Sequence, residues 1–124
     1  MAPANKNGIK RIYNAFFYSM AGICAAWKSE AAFRQELIAA IILIPVAFLL
    51  GQNPTQVVLL ILPIFVVLIV ELINSAIEAT VDRISDEQHP LSKQAKDIAS
   101  AAVFMSLVLF ALTWGIVLLE KLIL

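Results

Sequence analysis

The chain is poor in the residues on which most soluble enzymes build their active sites. It has one cysteine, one histidine and four glycines among 124 residues. The single thiol, Cys24, excludes an internal disulfide and a zinc site made of several cysteines. The lone histidine, His89, argues against a histidine-based zinc site and leaves no partner for a serine triad. The few glycines form neither a phosphate-binding P-loop nor a dinucleotide-binding motif.

Net charge is also missing. Nine Lys and Arg residues balance nine Asp and Glu residues, which gives a formal net charge of zero. Because nucleic-acid binding requires a basic field, we expect no nucleic-acid partner. The amino-terminal region has no uncharged core of a secretory signal, so no cleaved leader is expected. The charges that interrupt it are Lys10, Arg11, Lys28 and Arg34.

Hydrophobic residues, by contrast, are abundant. They make up 61% of the chain, whose mean hydropathy is +0.89. Soluble globular chains contain about 45–50% apolar residues, so the composition favours a membrane protein. Uncharged runs occupy residues 37–50, 57–70 and 98–119. We therefore predict an all-α membrane protein with three transmembrane helices in a single domain, residues 1–124.

The spans follow from the lengths of these runs. A run of fourteen residues covers about 21 Å of a hydrocarbon core that is about 30 Å thick. The first span must therefore begin inside the charged segment that precedes it, where Glu30 and Arg34 stand at the spacing of a helical ion pair. Trp114, near the far end of the third span, is expected at a membrane interface. The predicted spans are residues 31–50, 55–84 and 92–120, each to within a few residues.

The segment before the first span predicts an amphipathic helix over residues 8–28. Its apolar residues recur at the spacing of one helix face. They are Ile9, Ile12, Tyr13, Phe16, Met20, Ile23, Cys24 and Trp27. Basic and polar residues occupy the other face, a pattern typical of a helix lying in a membrane surface. The alternative is an ordinary core helix of a soluble bundle.

Lysine and arginine positions predict the orientation. Five precede the first uncharged run, none lies in the turn at 51–56, and three lie between 83 and 96. The five are Lys6, Lys10, Arg11, Lys28 and Arg34. Because cytoplasmic loops are enriched in basic residues, we expect the amino terminus and the 83–96 loop in the cytoplasm. The 51–56 turn and the carboxyl terminus, with Lys121, then face outward.

Four polar side chains form a stripe on the second span. Glu71, Asn74, Glu78 and Asp82 follow one another at steps of three, four and four residues. These steps place them on one face of a helix. Ionisable groups within a span are costly, which makes them a hypothesis for a functional site. The alternative is that the stripe only joins helices by hydrogen bonds.

Depth separates the acids of the stripe. Counted from the outer end of the span, Glu71 lies about 9 Å short of the cytoplasmic boundary and Glu78 about 10 Å further along. Glu30, Glu36, Lys96 and Asp97 are expected at the same cytoplasmic level. Carboxylates there can hold Mg²⁺ together with substrate phosphates, while basic side chains such as Lys96 and Arg11 can meet phosphate. The deeper carboxylate could accept a proton, so the pattern suits a reaction between a cytoplasmic phosphate donor and a lipid hydroxyl.

Three segments resemble the bacterial integral-membrane diacylglycerol kinase family. They are EAAFRQE at 30–36, ELINSAIEATVDR at 71–83 and AKD at 95–97. The resemblance implies a kinase that phosphorylates diacylglycerol with MgATP in the bacterial inner membrane. It also implies a homotrimeric bundle with a surface helix and three spans per subunit, whose sites are composite between neighbouring subunits.

The resemblance also implies roles for individual residues. Glu71 is the expected general base, Asn74 its hydrogen-bonding support, and Asp82 a second supporting residue. Glu30 and Glu78 are the expected metal ligands. Expected ATP contacts are Arg11, Tyr18, Glu30, Glu78, Glu87, Gln88, His89, Lys96 and Asp97. Expected lipid-substrate contacts are Arg11, Ser19, Trp27, Arg34, Gln35, Glu36, Glu71 and Ser100.

Other functions remain open from the sequence. A related kinase activity would use undecaprenol in place of diacylglycerol as the acceptor. A small proton-coupled transporter subunit would also need an embedded carboxylate, but the acids here cluster at one level rather than along a path. A structural assembly factor would leave the stripe unexplained.

Overall fold

The structure is a computed structural model that describes residues 7–123. Within that range the chain is helical almost throughout, and it forms α1 (Gly8–Ser29), α2 (Ala31–Leu50), α3 (Pro54–Ile84) and α4 (Pro90–Ile123). Lys6, counted above among the cytoplasmic charges, lies outside the described residues. The all-helical prediction is confirmed.

Three of the helices are long and apolar enough to cross a membrane. They are α2, α3 and α4, with 20, 31 and 34 residues, and an 18-residue segment of each has a mean hydropathy of 2.0, 2.9 and 2.5, respectively. At about 1.5 Å per residue even the shortest covers about 30 Å, the thickness of a hydrocarbon core. As expected, α2 begins at Ala31, before Arg34 and Glu36. The chain is a membrane protein with three helices of spanning length.

Local chemistry sets where the helices begin. The Asn7 side chain caps α1, because its Oδ1 accepts the N–H of Ile9 at 3.1 Å. The Asn53 side chain caps α3 in the same way through the N–H of Gln56, at 2.9 Å. We expected α4 to begin near 92, but it begins at Pro90. Proline suits the first position of a helix, where its missing N–H would have no partner anyway.

The central helix of the bundle is α3. It packs against both α2 and α4, while α1 contacts α2 and α3. Small residues such as Ala40 and Ala47 let the backbone of α2 approach closely, as is common between membrane helices. The buried hydrophobic cluster comprises Ala26, Phe33, Ala40, Ala47, Leu60, Ile64, Leu68, Trp114 and Val117.

Trp114 does not point outward from the bundle. It is 8% exposed and packs between helices. Its Nε1 donates to the Leu60 carbonyl of α3 at 2.9 Å, and its ring stacks on Phe110 with centroids 5.4 Å apart. An indole N–H in an apolar interior needs an acceptor, and a neighbouring helical carbonyl supplies it. The tryptophan therefore ties α4 to α3.

The turn between α2 and α3 is closed by a lysine from the far end of the chain. Lys121 donates its Nζ hydrogen bond to the Leu50 carbonyl at 3.0 Å. That carbonyl belongs to the last turn of α2, which has no helical N–H to accept. Gly51 follows, where a Cβ atom would lie 3.0 Å from the backbone nitrogen of Val57. The absence of a side chain there allows α3 to return directly against α2.

Candidate active site

The polar stripe of α3 faces the start of α2. Glu71 is 3% exposed and Asn74 is 8% exposed, whereas Glu78 is half-buried. Glu30 lies close enough to Glu78 and Glu71 to interact with their negative charges, and Glu36 lies close enough to Glu71 to interact with its charge. The structure therefore brings together the acids of α3 and those at the start of α2. Asp82, the last member of the stripe, is exposed.

Glu30 occupies the junction between α1 and α2. Its backbone is extended, with φ −121° and ψ 110°, and its N–H donates to the Ala26 carbonyl at 2.9 Å. Burial raises the pKa of the Glu30 carboxyl above its ordinary value, and the nearby charges of Glu78 and Glu71 raise it further. A cluster of like charges of this kind is relieved by a cation.

Arg34 holds that junction together. Its Nη1 donates to the Trp27 carbonyl at 2.7 Å and to the Lys28 carbonyl at 3.3 Å. The sequence spacing had indicated an ion pair with Glu30, but the guanidinium binds the unpaired carbonyls at the end of α1 instead. Such carbonyls have no helical donor, so a cationic side chain is a favourable partner. Arg34 thus fixes how α1 meets α2.

Asn74 binds a different acid from the one expected. Its Nδ2 donates to Glu78 Oε1 at 3.0 Å, rather than to Glu71. Glu78 lies one turn further along α3, which is the spacing at which helical side chains meet. The Asn74 Oδ1 atom is buried without a hydrogen-bond partner. The prediction that Asn74 hydrogen-bonds to Glu71 was therefore wrong, and the amide orients Glu78.

A second polar cluster lies at the loop between α3 and α4. A cavity of about 440 Å³ opens there, and its wall includes Lys96 and Asp97. Lys96 Nζ pairs with Asp82 Oδ1 and Lys93 Nζ pairs with Asp97 Oδ2, each at 2.6 Å. Lys96 also lies close enough to Glu78 to sense its charge. Other polar wall residues are Ser85, Asp86, Glu87, Gln88, His89 and Ser92.

The remaining expected residues lie apart from these two clusters. Arg11, Tyr18 and Ser19 are exposed on α1, and α1 makes no contact with α4 within residues 7–123. A single chain therefore does not bring Arg11 and Tyr18 to Lys96 and Asp97. Three further expected lipid contacts are exposed: Trp27, Gln35 and Ser100.

A groove of about 460 Å³ separates α1 from α3. Small residues form much of its wall, among them Ser19, Gly22 and Ala26 of α1 and Ser75 and Ala79 of α3. Of the expected lipid contacts, Ser19 is the one that borders it. The wall of the groove is mostly apolar.

The donor set suits a metal that is shared with phosphate. Within residues 7–123, no three Asp, Glu, His or Cys side chains are gathered closely enough to hold a metal by themselves. Mg²⁺, however, typically binds through one or two carboxylates plus substrate phosphates and water. Glu30 and Glu78, with the charge and geometry described above, could supply those two carboxylates.

Two features of this site could not be recognised from sequence patterns. The proximity of Glu36 to Glu71 involves two helices, and no spacing rule relates residues so far apart in the chain. The binding of the Trp27 and Lys28 carbonyls by Arg34 was not predicted, because the spacing of Arg34 and Glu30 already indicated a helical ion pair. The weak signal for Glu36 was its place as the last charge before an uncharged run.

Comparisons with known proteins agree on one family. The model of the family described as prokaryotic diacylglycerol kinase matches residues 17–118. The chain is similar to the diacylglycerol kinase of Pseudomonas aeruginosa, with 54% identity over 114 residues, covering 92% of this chain and 93% of that protein. It is 47% identical to that of Escherichia coli K12 over the same coverage. It is also 47% identical to that of Helicobacter pylori 26695 over 113 residues, 91% of this chain and 88% of the relative.

Proposed function

This chain belongs to the prokaryotic diacylglycerol kinase family and is therefore a kinase that transfers phosphate to an alcohol group, and we propose that it transfers the γ-phosphate of ATP to diacylglycerol. The product would be phosphatidic acid. The observation that carries the proposal is the position of Glu71, which is 3% exposed on a helix of spanning length, beside the carboxylates of Glu30 and Glu36. A buried base beside a carboxylate that can hold Mg²⁺ together with phosphate suits transfer to a lipid hydroxyl.

In the proposed reaction Glu71 accepts the proton of the lipid hydroxyl. The hydroxyl oxygen then forms a bond to the γ-phosphorus, and the bond from that phosphorus to the bridging oxygen breaks. ADP leaves with the electron pair. Phosphoryl transfer depends mainly on positioning and on charge stabilisation, so the residues around Glu71 act by holding the two reactants in line.

Glu30 and Glu78 are proposed to hold Mg²⁺ together with the ATP phosphates. When bound, the metal neutralises charge that develops on the transferring phosphoryl group. Asn74 supports this site by fixing Glu78 through the 3.0 Å hydrogen bond. Arg34 supports it from the other side, because its bonds to α1 set the position of the junction that contains Glu30.

The loop cavity is proposed to receive the nucleotide. Its wall includes Glu87, Gln88, His89, Lys96 and Asp97, all expected nucleotide contacts. Lys96 provides a cation between this cavity and Glu78. Its ammonium group has three donors, so it can bind phosphate while it stays paired with Asp82 at 2.6 Å. Asp82 then acts as a support that holds Lys96 in place between turnovers.

The homotrimer is proposed because one chain leaves the site divided. Arg11 and Tyr18 lie on α1, which does not reach α4 within residues 7–123. If they contact the same nucleotide as Lys96 and Asp97, they must come from a neighbouring subunit. Unpartnered polar atoms within a span also favour association with other helices. The number three is taken from the family resemblance.

The proposed membrane arrangement places α1 in the cytoplasmic surface of the inner membrane. Large apolar side chains of α1 are exposed, for example Ile9 at 82% and Ile12 at 70%. They would be covered by lipid if α1 lies flat at the interface. The amino terminus and the 83–96 loop would then be cytoplasmic, with the carboxyl terminus outward.

Lipid-dependent ATP consumption by the purified protein in mixed micelles tests the proposed function. With Mg²⁺ present, turnover is expected with diacylglycerol and not without lipid. Turnover with undecaprenol alone would retain the mechanism but change the acceptor. No turnover with either lipid, from a folded oligomer, would overturn the kinase proposal for this chain.

A further inference from the structure

Two lysines of α4 belong to the wall of the loop cavity of about 440 Å³. Lys93 and Lys96 are three residues apart, a spacing that places both side chains on one side of the helix. The sequence predicted Lys96 as a nucleotide contact and did not indicate Lys93. The cavity therefore has one more cationic side chain in its wall than the predicted site contains.

Each of these lysines is held by an aspartate. Lys93 Nζ donates to Asp97 Oδ2 and Lys96 Nζ donates to Asp82 Oδ1, each at 2.6 Å. An ammonium group has three donors, so each lysine keeps two hydrogens for a further acceptor. The side chains of Lys93 and Lys96 are 80% and 43% exposed, so a ligand in the cavity can reach both.

The stability of α4 does not explain the pair formed by Lys93 and Asp97. In a helix the favourable order places the acid four residues before the base, and here the order is reversed. Lys93 also lies in the first turns of α4, which begins at Pro90, where the helix dipole disfavours a cation. Exposed ion pairs contribute little in any case. A lysine at this position is better explained by an anionic ligand in the cavity.

The other charged groups of the wall indicate where such a ligand lies. Asp86 and Glu87, from the loop before α4, repel phosphate, and the two aspartates of the ion pairs are already bound to lysine. A phosphate group that enters the cavity is therefore favoured beside Lys93 and Lys96. One phosphate needs only one cation, whereas a chain of phosphates can bind two. The pair of lysines thus suits a nucleoside di- or triphosphate.

We propose that Lys93 is a further nucleotide-binding residue, which binds the phosphate chain of ATP together with Lys96 while Asp97 holds its ammonium group in place. This inference rests on the proposed function, in which the loop cavity receives the nucleotide. Lys93 takes no part in the transfer of the proton or of the phosphoryl group. Its loss should therefore weaken nucleotide binding and leave the reaction at Glu71 intact.

Two substitutions of Lys93 test the role of its charge. Lys93→Gln removes the cation, and we expect KM for ATP to rise about five- to tenfold, because hydrogen bonds between charged groups are the stronger ones. The values of kcat and of KM for diacylglycerol should change little. Lys93→Arg retains a cation and should keep KM for ATP close to that of the parent. Lys121→Gln, which removes a lysine at the other end of α4, is the matched control.

A double substitution separates direct binding from an effect through Asp97. In Asp97→Asn protein the further change Lys93→Gln should still raise KM for ATP, because the ammonium group acts on phosphate itself. If Lys93 only orients Asp97, the second change should have no additional effect. That result would overturn the proposal, as would an unchanged KM for ATP in Lys93→Gln or an equal rise in Lys93→Gln and Lys93→Arg.

Equilibrium binding to the folded oligomer, in detergent micelles without diacylglycerol, tests the site without turnover. With Mg²⁺ present, ATP should bind more weakly to Lys93→Gln than to the parent, whereas adenosine, which lacks phosphate, should bind equally to both. Absence of ATP binding by the parent, equal ATP binding by both proteins, or an equal loss for adenosine would overturn the proposal. A loss confined to ATP, in a protein that does not phosphorylate lipid, would instead retain the phosphate contact and reject the proposed function.

Discussion

The side-chain amide of Asn74 donates to Glu78 at 3.0 Å, one helical turn away, and leaves Glu71 without an amide donor. This single orientation divides the polar stripe of α3 into two parts. Glu78, oriented by Asn74, and Glu71 both lie close enough to Glu30 for their charges to act on it, and Glu71 also lies near Glu36. In the proposed function, the metal-binding role and the proton-accepting role fall to different residues of this stripe.

Substitution of Asn74 should act on the metal requirement. In Asn74→Leu the hydrogen bond to Glu78 is lost, and residues that orient metal ligands typically contribute 10–100-fold in affinity or activity. We expect the Mg²⁺ concentration for half-maximal activity to rise about tenfold or more, with a smaller change in KM for diacylglycerol. Thr80→Ala, which removes a hydroxyl bonded only to its own helix at the Ala76 carbonyl, is the control. An unchanged Mg²⁺ requirement would contradict this role.

Removing the charge of Glu71 should stop the reaction without preventing assembly. Glu71→Gln keeps the size of the side chain but cannot accept the hydroxyl proton, so we expect kcat to fall by at least about 10²–10⁴-fold. Chemical cross-linking or light scattering in detergent should still report the oligomer of the parent protein. Normal turnover in this variant would refute the general-base assignment. Aggregated protein would instead indicate that the carboxylate is needed for folding.

Much of the fold follows from the sequence because its signals are local. Uncharged runs, the turn at 51–56 and the spacing of Glu71, Asn74 and Glu78 depend only on neighbours along the chain. The boundary of α4 was less well predicted, because a proline can end one segment or begin the next helix. The interior position of Trp114 was missed since an indole near the end of a span suits an interface as well as a buried carbonyl.

The site was predicted less fully than the fold for a related reason. The acids of the stripe share a helix face, so their proximity follows from spacing, but their partners come from other helices. Helical spacing allows Arg34 to pair with Glu30 and allows Asn74 to bond to Glu71. The same spacing rule also allows the bond that is observed, from Asn74 to Glu78. Only packing of α1 and α3 against α2 selects among these pairings.

The junction held by Arg34 should depend on its charged donor. Arg34→Met removes the nitrogen, Nη1, that donates to both the Trp27 and the Lys28 carbonyls. Hydrogen bonds to charged groups contribute about 1.5–3 kcal/mol, so the junction should open more often. Hydrogen exchange measured at residues 27–31 should increase, and activity should fall with a raised Mg²⁺ requirement. If exchange there is unchanged, Arg34 does not hold the junction.

The hydrogen bond of Trp114 should contribute to stability and not to catalysis. Trp114→Phe removes the donor to the Leu60 carbonyl while keeping an aromatic ring against Phe110. Hydrogen bonds between membrane helices contribute about 0.6–2 kcal/mol, so the free energy of unfolding should fall by a similar amount. The variant should therefore unfold at a lower concentration of denaturing detergent than the parent protein. Met105→Leu, at an exposed position of α4, is the control. A drop in kcat with unchanged stability would contradict a purely structural role.

The raised pKa of Glu30 predicts the direction in which protein stability changes with pH. Burial and the charges of Glu78 and Glu71 make the ionised form of Glu30 less favourable in the folded protein than in the unfolded chain. Any stability from this group is therefore fully present below its ordinary pKa and is lost as pH rises through the raised value.

Metal binding should have the opposite pH dependence, because Glu30 must be ionised to bind Mg²⁺ and is ionised at higher pH. As pH falls through the raised pKa of Glu30, protons should displace Mg²⁺ and activity should decline. Higher Mg²⁺ should move this decline to lower pH. Glu30→Asp retains a carboxylate, so its decline in activity at low pH should also shift with Mg²⁺. We would measure activity against pH at two Mg²⁺ concentrations. If the pH at which activity declines is the same at both Mg²⁺ concentrations, Glu30 is not a metal ligand. Added Mg²⁺ shifts that pH only when protons and metal compete for the same group.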